Sequence, residues 1–221
     1  MKAIYSLLIC LLTCYAAYAQ VNTPDLKTKA IKEKHSEYTL QYNVLQENPA
    51  IKHGPYTMTS QNWRCEGNYE NGKRSGVWAF YGWNGMTDYK YDFTNNQELQ
   101  SKSLVNELEV YENGAYVKME VGNKPFLIGG EGRMLAFIVK NLRYPSQAFR
   151  ANAQGLVVIT VEINEAGELT NSEVNQSAGH GMDEEALRVV RSLPNEWIPA
   201  MIDGKPVKSK HHIPVRFSIR R

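Results

Sequence analysis

Several residue groups in the 221-residue chain are of types that chemistry uses. His211 and His212 resemble a metal pair. Neighbours on a strand point to opposite faces, so the two cannot share an ion without a bulge. Ser177, His180 and Asp183 carry the side-chain types of a nucleophilic triad. No nucleophile-elbow sequence surrounds the serine, and a Gly179-His180-Gly181 loop with Asp183 capping a helix accounts for all three. Glu184 and Glu185 are adjacent on a predicted helix and diverge, which is wrong for an acid/base pair. Cys65 has His53 within reach in sequence, but no third group orients that imidazole. Gly129-Gly130-Glu131-Gly132 looks like a phosphate loop and lacks the Lys-Ser/Thr ending. The chain therefore reads as non-enzymatic, with no catalytic residue, metal site or cofactor.

The length allows one large or two small domains. A formal charge of +2, from scattered Lys and Arg, argues against a nucleic-acid partner. Residues 1–19 have the layout of a secretory signal peptide: Lys2, an apolar run from Ala3 to Tyr15, and Ala17-Tyr18-Ala19 before Gln20. Two alternatives stay open. An uncleaved anchor would have to span with fewer than the ~20 apolar residues a bilayer needs. Lipidation at Cys14 would follow Leu11-Leu12-Thr13, without a small residue before the cysteine. Membrane association follows only from one of these alternatives; cleavage implies export to the periplasm or cell envelope. Cleavage also leaves Cys65 as the single cysteine, unable to form an internal disulfide and expected to be buried and inert.

Residues 20–36 are a polar, Lys-rich lead-in, in which Thr23-Pro24-Asp25 has the form of a helix start with a thin apolar face. Residues 37–121 read as an antiparallel meander of hairpins. Tyr38 to Val44 alternates, further strands are expected at Asp88–Phe93 and Glu107–Tyr111, and Asn71-Gly72, Asn84-Gly85 and Asn113-Gly114 are two-residue turns. Gly54 with Tyr56 recurs as Gly76 with Trp78. Tyr56, Trp63, Tyr69, Trp78, Tyr81 and Trp83 are expected to stack into a small sheet, the alternative being an aromatic ligand site.

Residues 125–221 follow a different pattern. Glycines at Pro125–Gly132 form a hinge. A helix from Glu131 to Leu142 has Leu135, Ile138, Val139 and Leu142 on one face and ends at Tyr144-Pro145. A strand from Gly155 places Val157, Ile159, Val161 and Ile163 on one side and Val158, Thr160 and Glu162 on the other. A polar strand from Glu168 to Ser177 follows. Then comes a helix lined by Met182, Ala186, Val189, Val190 and Leu193, stopped by Pro194. Asp203-Gly204 turns the connector. The last strand, His212 to Arg220, has Ile213, Val215, Phe217 and Ile219 on one face, and Pro214, lacking a donor, implies a sheet edge or pairing on only one side there. Helix, strand, strand, helix, strand makes an antiparallel sheet with two helices on one face, a two-layer α+β unit.

Two resemblances attach to these residues. Gly67-x-Tyr69-x-Asn71-Gly72-Lys73-x-x-Gly76-x-Trp78 resembles the MORN-like repeats of YwqK-type bacterial proteins, which implies a scaffold or contact surface. Residues 125–221 resemble the C-terminal domain of TonB-type energy transducers. The matching positions are Tyr144-Pro145, Ala148, Gly155, Val157-Val158, Gly167, Ser177, Asp183, Ala186-Leu187, Trp197-Ile198-Pro199-Ala200, Gly204-Lys205-Pro206-Val207 and Ile213-Pro214-Val215-x-Phe217. That resemblance implies a periplasmic domain that binds the TonB box of TonB-dependent outer-membrane transporters by strand addition, in energy-coupled transport with inner-membrane motor proteins. The implied docking edge is His212, Ile213, Pro214, Val215, Arg216, Phe217, Ser218 and Arg220. Tyr144, Pro145, Gly155, Trp197, Pro199 and Ala200 are family-motif positions. A transducer needs a membrane anchor and a Pro-rich spacer, whereas this chain shows the layout of a cleavable signal and no Pro-rich stretch, and the MORN-like module stands in the spacer's place. The alternative is an envelope scaffold or protein-interaction module without energy transduction.

Overall fold

The computed structural model describes residues 26–83, 85–101 and 107–219. The expected signal peptide, the helix start at Thr23-Pro24-Asp25 and Asn84 lie outside the described residues. Seven strands pair in chain order as one antiparallel sheet: β1 (Thr28–Lys34), β2 (Thr39–Leu45), β3 (Lys52–Thr59), β4 (Arg64–Glu70), β5 (Lys73–Tyr81), β6 (Thr87–Asp92) and β7 (Gln97–Ser101). The lead-in is thus corrected: Thr28–Lys34 is a strand, held by a full ladder to β2 from Thr28↔Leu45 to Lys34↔Thr39. Between β4 and β5, Asn71 and Gly72 have φ of 49° and 82°, as a two-residue turn demands.

The Gly67-to-Trp78 signature has a packing cause. A Cβ on Gly67 would lie 2.2 Å from the Trp78 indole, so the glycine is the floor on which that ring rests. Tyr56 and Tyr69 flank the indole with centroids at 5.2 and 5.4 Å. Tyr56, Trp63, Tyr69 and Trp78 are buried in one aromatic cluster with Phe80, Tyr89 and Tyr91. Tyr81 and Trp83 do not join it. Tyr81 donates to Glu66 at 2.6 Å on the other face, and Trp83 is 61% exposed. Cys65 is fully buried in the same cluster, and burial pushes its thiol up to about 12.

The remaining elements are β8 (Glu107–Glu112), β9 (Ala115–Glu120), β10 (Phe126–Leu127), helices α1 (Gly130–Asn141) and α2 (Ser146–Arg150), β11 (Gly155–Ile163), β12 (Leu169–Gln176), helix α3 (Met182–Arg191), β13 (Trp197–Ile198), β14 (Ala200–Ile202), β15 (Lys205–Val207) and β16 (Ser209–Phe217). The second large sheet has the order β12-β11-β16-β8-β9. Hence the hairpin Glu107–Glu120, expected at the end of the meander, extends the C-terminal sheet instead. Its turn at Asn113-Gly114, with φ of 51° and 90°, is as expected, as is Asp203-Gly204 between β14 and β15. Val157, Ile159, Val161 and Ile163 from β11, with Ile213, Val215 and Phe217 from β16, are buried against Met182, Ala186, Val189 and Val190 of α3 and Ile138 of α1. The unit is α+β, as the sequence pattern implied.

Helix α1 is wedged between the two cores, and this changes its buried face. Leu135 and Val139, expected inside, are 47% and 67% exposed. Met134, Phe137 and Ile138 pack on the C-terminal core, and Ala136 packs on the aromatic one. Gly132 lies against Trp63, where a Cβ would come within 2.7 Å of the tryptophan Cβ. Arg133 crosses the junction. It donates to the Ile128 carbonyl at 2.8 Å and to Glu196 at 2.9 Å, with its guanidinium 5.9 Å from the Tyr38 ring centre. Phe126 stacks on Tyr89 at 4.0 Å, joining β10 to the meander.

Candidate docking edge

β16 pairs with β11 without interruption, from Ile163↔Ser209 to Gly155↔Phe217. Its other side is shared with β8 through one residue pair, Ser209↔Val110, and the Tyr111 N–H donates to the Lys208 carbonyl at 2.8 Å. In an antiparallel ladder the backbone groups of alternate residues point to alternate sides. The even-numbered residues of β16 therefore aim their N–H and C=O groups outward, on the side of β8. His212 and Arg216 offer a donor and an acceptor there. Pro214 offers only its carbonyl, so its missing N–H leaves the ladder to β11 intact. Among the described residues, no strand pairs with the outer side of Ile213–Phe217.

The eight expected edge residues separate by parity. Ile213, Val215 and Phe217 are core residues, 0–2% exposed. His212, Pro214 and Arg216 face solvent. The strand itself starts and ends three residues earlier than expected, at Ser209 and Phe217, because β11 offers a partner over that span only. Ser218 lies past the strand, the Ile219 N–H turns to the Gln154 side chain at 3.1 Å, and Arg220 lies outside the described residues.

Residues that the sequence reading did not single out fasten the hairpin to this edge. The Lys208 ammonium is 2.8 Å from Glu162, 5.0 Å from the Tyr111 ring centre and 5.7 Å from that of Tyr116. Lys210 lies 4.4 Å over the Tyr116 ring, with Glu109 at 3.8 Å and Glu173 at 3.9 Å. The Glu162 carboxylate at 2.8 Å, then the nearby Tyr116 hydroxyl, holds the Lys208 ammonium above the usual lysine value. Burial works to raise the Glu162 carboxyl, but the Lys208 ammonium and the nearby Tyr116 hydroxyl outweigh this and hold it below the usual range. On the other face, Val110 and Val121 pack on Ala200 with Leu108, Met119, Ile202 and Val207 around them. The only available signal was the alternation of Leu108 and Val110, which says nothing about which sheet they join.

The motif positions serve the frame of the unit. Tyr144 lies edge-on to Phe217 at 5.8 Å and donates its hydroxyl to the Ala153 carbonyl at 2.6 Å. Pro145 opens α2. Gly155 admits Ala178, whose Cβ would be 2.7 Å from a Cβ added there. The Trp197 N–H donates to the Gly167 carbonyl at 3.1 Å, the Pro199 carbonyl accepts from Asn123 at 2.9 Å, and Ala200 is fully buried.

The histidine pair divides as the strand geometry requires. His211 faces the interior, edge-on to Trp197 at 6.0 Å, and burial pushes its imidazole down to about 4. His212 faces outward, with Nδ1 2.9 Å from the Thr160 hydroxyl. Asp183 does not cap α3, whose N-cap is Gly181 with φ 78°. Its carboxylate instead accepts from the Ser177 hydroxyl and from the N–H groups of Ala178 and Gly179, at 2.8 and 3.3 Å for the two amides. Among the described residues, no three His, Cys, Asp or Glu side chains are grouped to hold a metal ion. Nor is any helix among them long and apolar enough to cross a membrane.

With this geometry in view, comparison with known proteins bears on the C-terminal unit. Residues 140–219 match the family model described as Gram-negative bacterial TonB protein C-terminal. The match runs from the end of α1 through β16. It stops short of the seven-stranded sheet and of the hairpin β8–β9. No curated protein and no solved structure gives a significant match. Over residues 140–219 the C-terminal segment is therefore similar to the TonB C-terminal domain.

Proposed function

We propose that the chain is an exported, non-enzymatic envelope protein whose C-terminal unit binds TonB-dependent outer-membrane transporters. An extended transporter segment adds to the outer side of β16 between His212 and Phe217, and the protein contributes to energy-coupled transport through that contact. The observation that carries this reading is the outward aim of the His212 and Arg216 backbone groups on an edge with no strand against it among the described residues. Main-chain hydrogen bonds supply affinity in such a joint, and alternate side chains supply selectivity.

The second reading is an envelope scaffold that binds without transducing energy. Its support is the seven-stranded aromatic sheet, with its MORN-like signature, wedged against the C-terminal unit through α1. Calorimetric titration of residues 20–221 with a synthetic peptide spanning a transporter's plug N-terminus tests the binding. Saturable binding is expected, and none across several such peptides would contradict it. Transport assays after gene deletion separate the two readings. Loss of uptake is expected for the first, and normal uptake with retained peptide binding for the second. Intact mass of the isolated protein distinguishes cleavage, anchoring and lipidation.

A further inference from the structure

Resting on strand addition at β16, we infer that the hairpin β8–β9 is a fixed stop that sets the register and length of the segment that joins. The hairpin lies in the row where an added strand would lie. It takes the Lys208 carbonyl through Tyr111 and faces Ser209 with Val110. The row is therefore occupied at Lys208–Ser209, and among the described residues no strand pairs with it from His212 onward.

Fastening on both faces keeps the hairpin in place. Lys208 and Lys210 bind it through Tyr111, Tyr116 and Glu109 on the open face, and the Val110–Val121–Ala200 cluster binds it on the other. A guest strand that slid towards Lys208 would have to break those contacts. Among the described residues the unpaired positions run from His212 to Phe217, so the guest pairs over about six residues, ~20 Å of extended chain.

The charges at the two ends select the guest further. Glu107 and Glu109 stand at the closed end, and Arg216 faces solvent near the open end. A carboxylate on the guest is favoured opposite Arg216 and disfavoured beside β8. The partner segment is thus short and extended, with its acidic residue at the end away from the hairpin.

The test uses a capped hexapeptide of alternating valine and threonine with glutamate at one end, titrated into isotope-labelled residues 20–221. A second protein carries Ser209→Cys with Val110→Cys. The pair is non-hydrogen-bonded and close enough for a disulfide that locks the hairpin in place, and Cys65 is fully buried away from it. The expected result is amide shifts confined to residues 212–218, none at 208–211 or 107–112, and affinity within twofold between locked and reduced protein. Shifts spreading into 208–211, or a tenfold loss on locking that reduction restores, would overturn the stop. Absence of binding by the hexapeptide while a plug peptide shifts residues 212–218 would overturn the length limit alone. If neither peptide binds, strand addition itself fails.

Discussion

The backbone N–H of Tyr111 donates to the carbonyl of Lys208 at 2.8 Å, and through that bond a hairpin from the middle of the chain joins the sheet built by its end. The same bond sets which residues of β16 face outward. The outer side of β16 is defined by backbone parity, and the strand's side chains alternate between core and solvent accordingly.

Replacing Lys208 by Met should loosen the hairpin without unfolding the protein. The substitution removes the partner of Glu162 and the cation over Tyr111 and Tyr116, and such contacts contribute about 1 kcal/mol when partly buried. Hydrogen exchange should speed up several-fold at Val110 and Val117, with β11 and β12 unchanged. Unchanged exchange across β8 and β9 would show that the apolar cluster under Val110 holds the hairpin alone.

Acid should weaken the fold through His211 in a defined window. The unfolded imidazole takes its proton near 6.5, and the buried one only near 4, with His212 and Lys124 opposing the charge as well. Between those values the unfolded state holds more protons, so stability is complete above about pH 6.5 and is lost as pH falls towards 4. His211→Gln should remove this part. The fall in Tm between pH 7 and 4.5 should shrink by roughly 5 °C relative to the unsubstituted protein. Glu162 and Asp183, both held below the carboxylate range, lose their contribution at lower pH still, and equally in both proteins.

Gly67→Ala should be among the most damaging small substitutions in the meander. The new methyl would stand 2.2 Å from the Trp78 ring, against which Tyr56 and Tyr69 also pack. A loss of about 1–3 kcal/mol is expected from such overpacking, read as a lower denaturation midpoint with an altered near-ultraviolet tryptophan signal. An unchanged midpoint would mean that the indole does not rest on Gly67.

Much of this arrangement is legible in the residues. The alternation of Val157 to Ile163 and of Ile213 to Phe217 survives because each strand has one buried face. Asn71-Gly72 and Asn113-Gly114 announce their turns because both positions need positive φ. Other features depend on contacts distant in sequence. Leu135 and Val139 fit an apolar helix stripe, yet α1 turns Gly132 and Ala136 to Trp63 and the aromatic cluster because two cores compete for it. Glu107–Glu112 follows the meander in the chain, and neighbouring strands usually pair. Contacts with Lys208, Lys210 and Ala200, almost a hundred residues away, draw the hairpin to the other sheet. The expected Asp183 cap failed for a local reason, since Gly179 and Gly181 bend the loop so that the carboxylate meets the amides before the helix.

Pro214→Ala should strengthen partner binding. The proline nitrogen lies on the outer side of β16, where an alanine N–H would add one hydrogen bond to an incoming strand. A gain of about threefold in affinity is expected from one such bond, measured by fluorescence anisotropy with a labelled plug peptide. A loss of affinity would place the partner elsewhere.

Hydrogen exchange at single-amide resolution, with and without saturating plug peptide, tests strand addition at β16 most directly. The account predicts new protection at His212 and Arg216, whose amides point outward. It predicts no change at Ile213 and Val215, whose amides are already bonded to β11. Saturation of the protein with no added protection at His212 and Arg216 would contradict it.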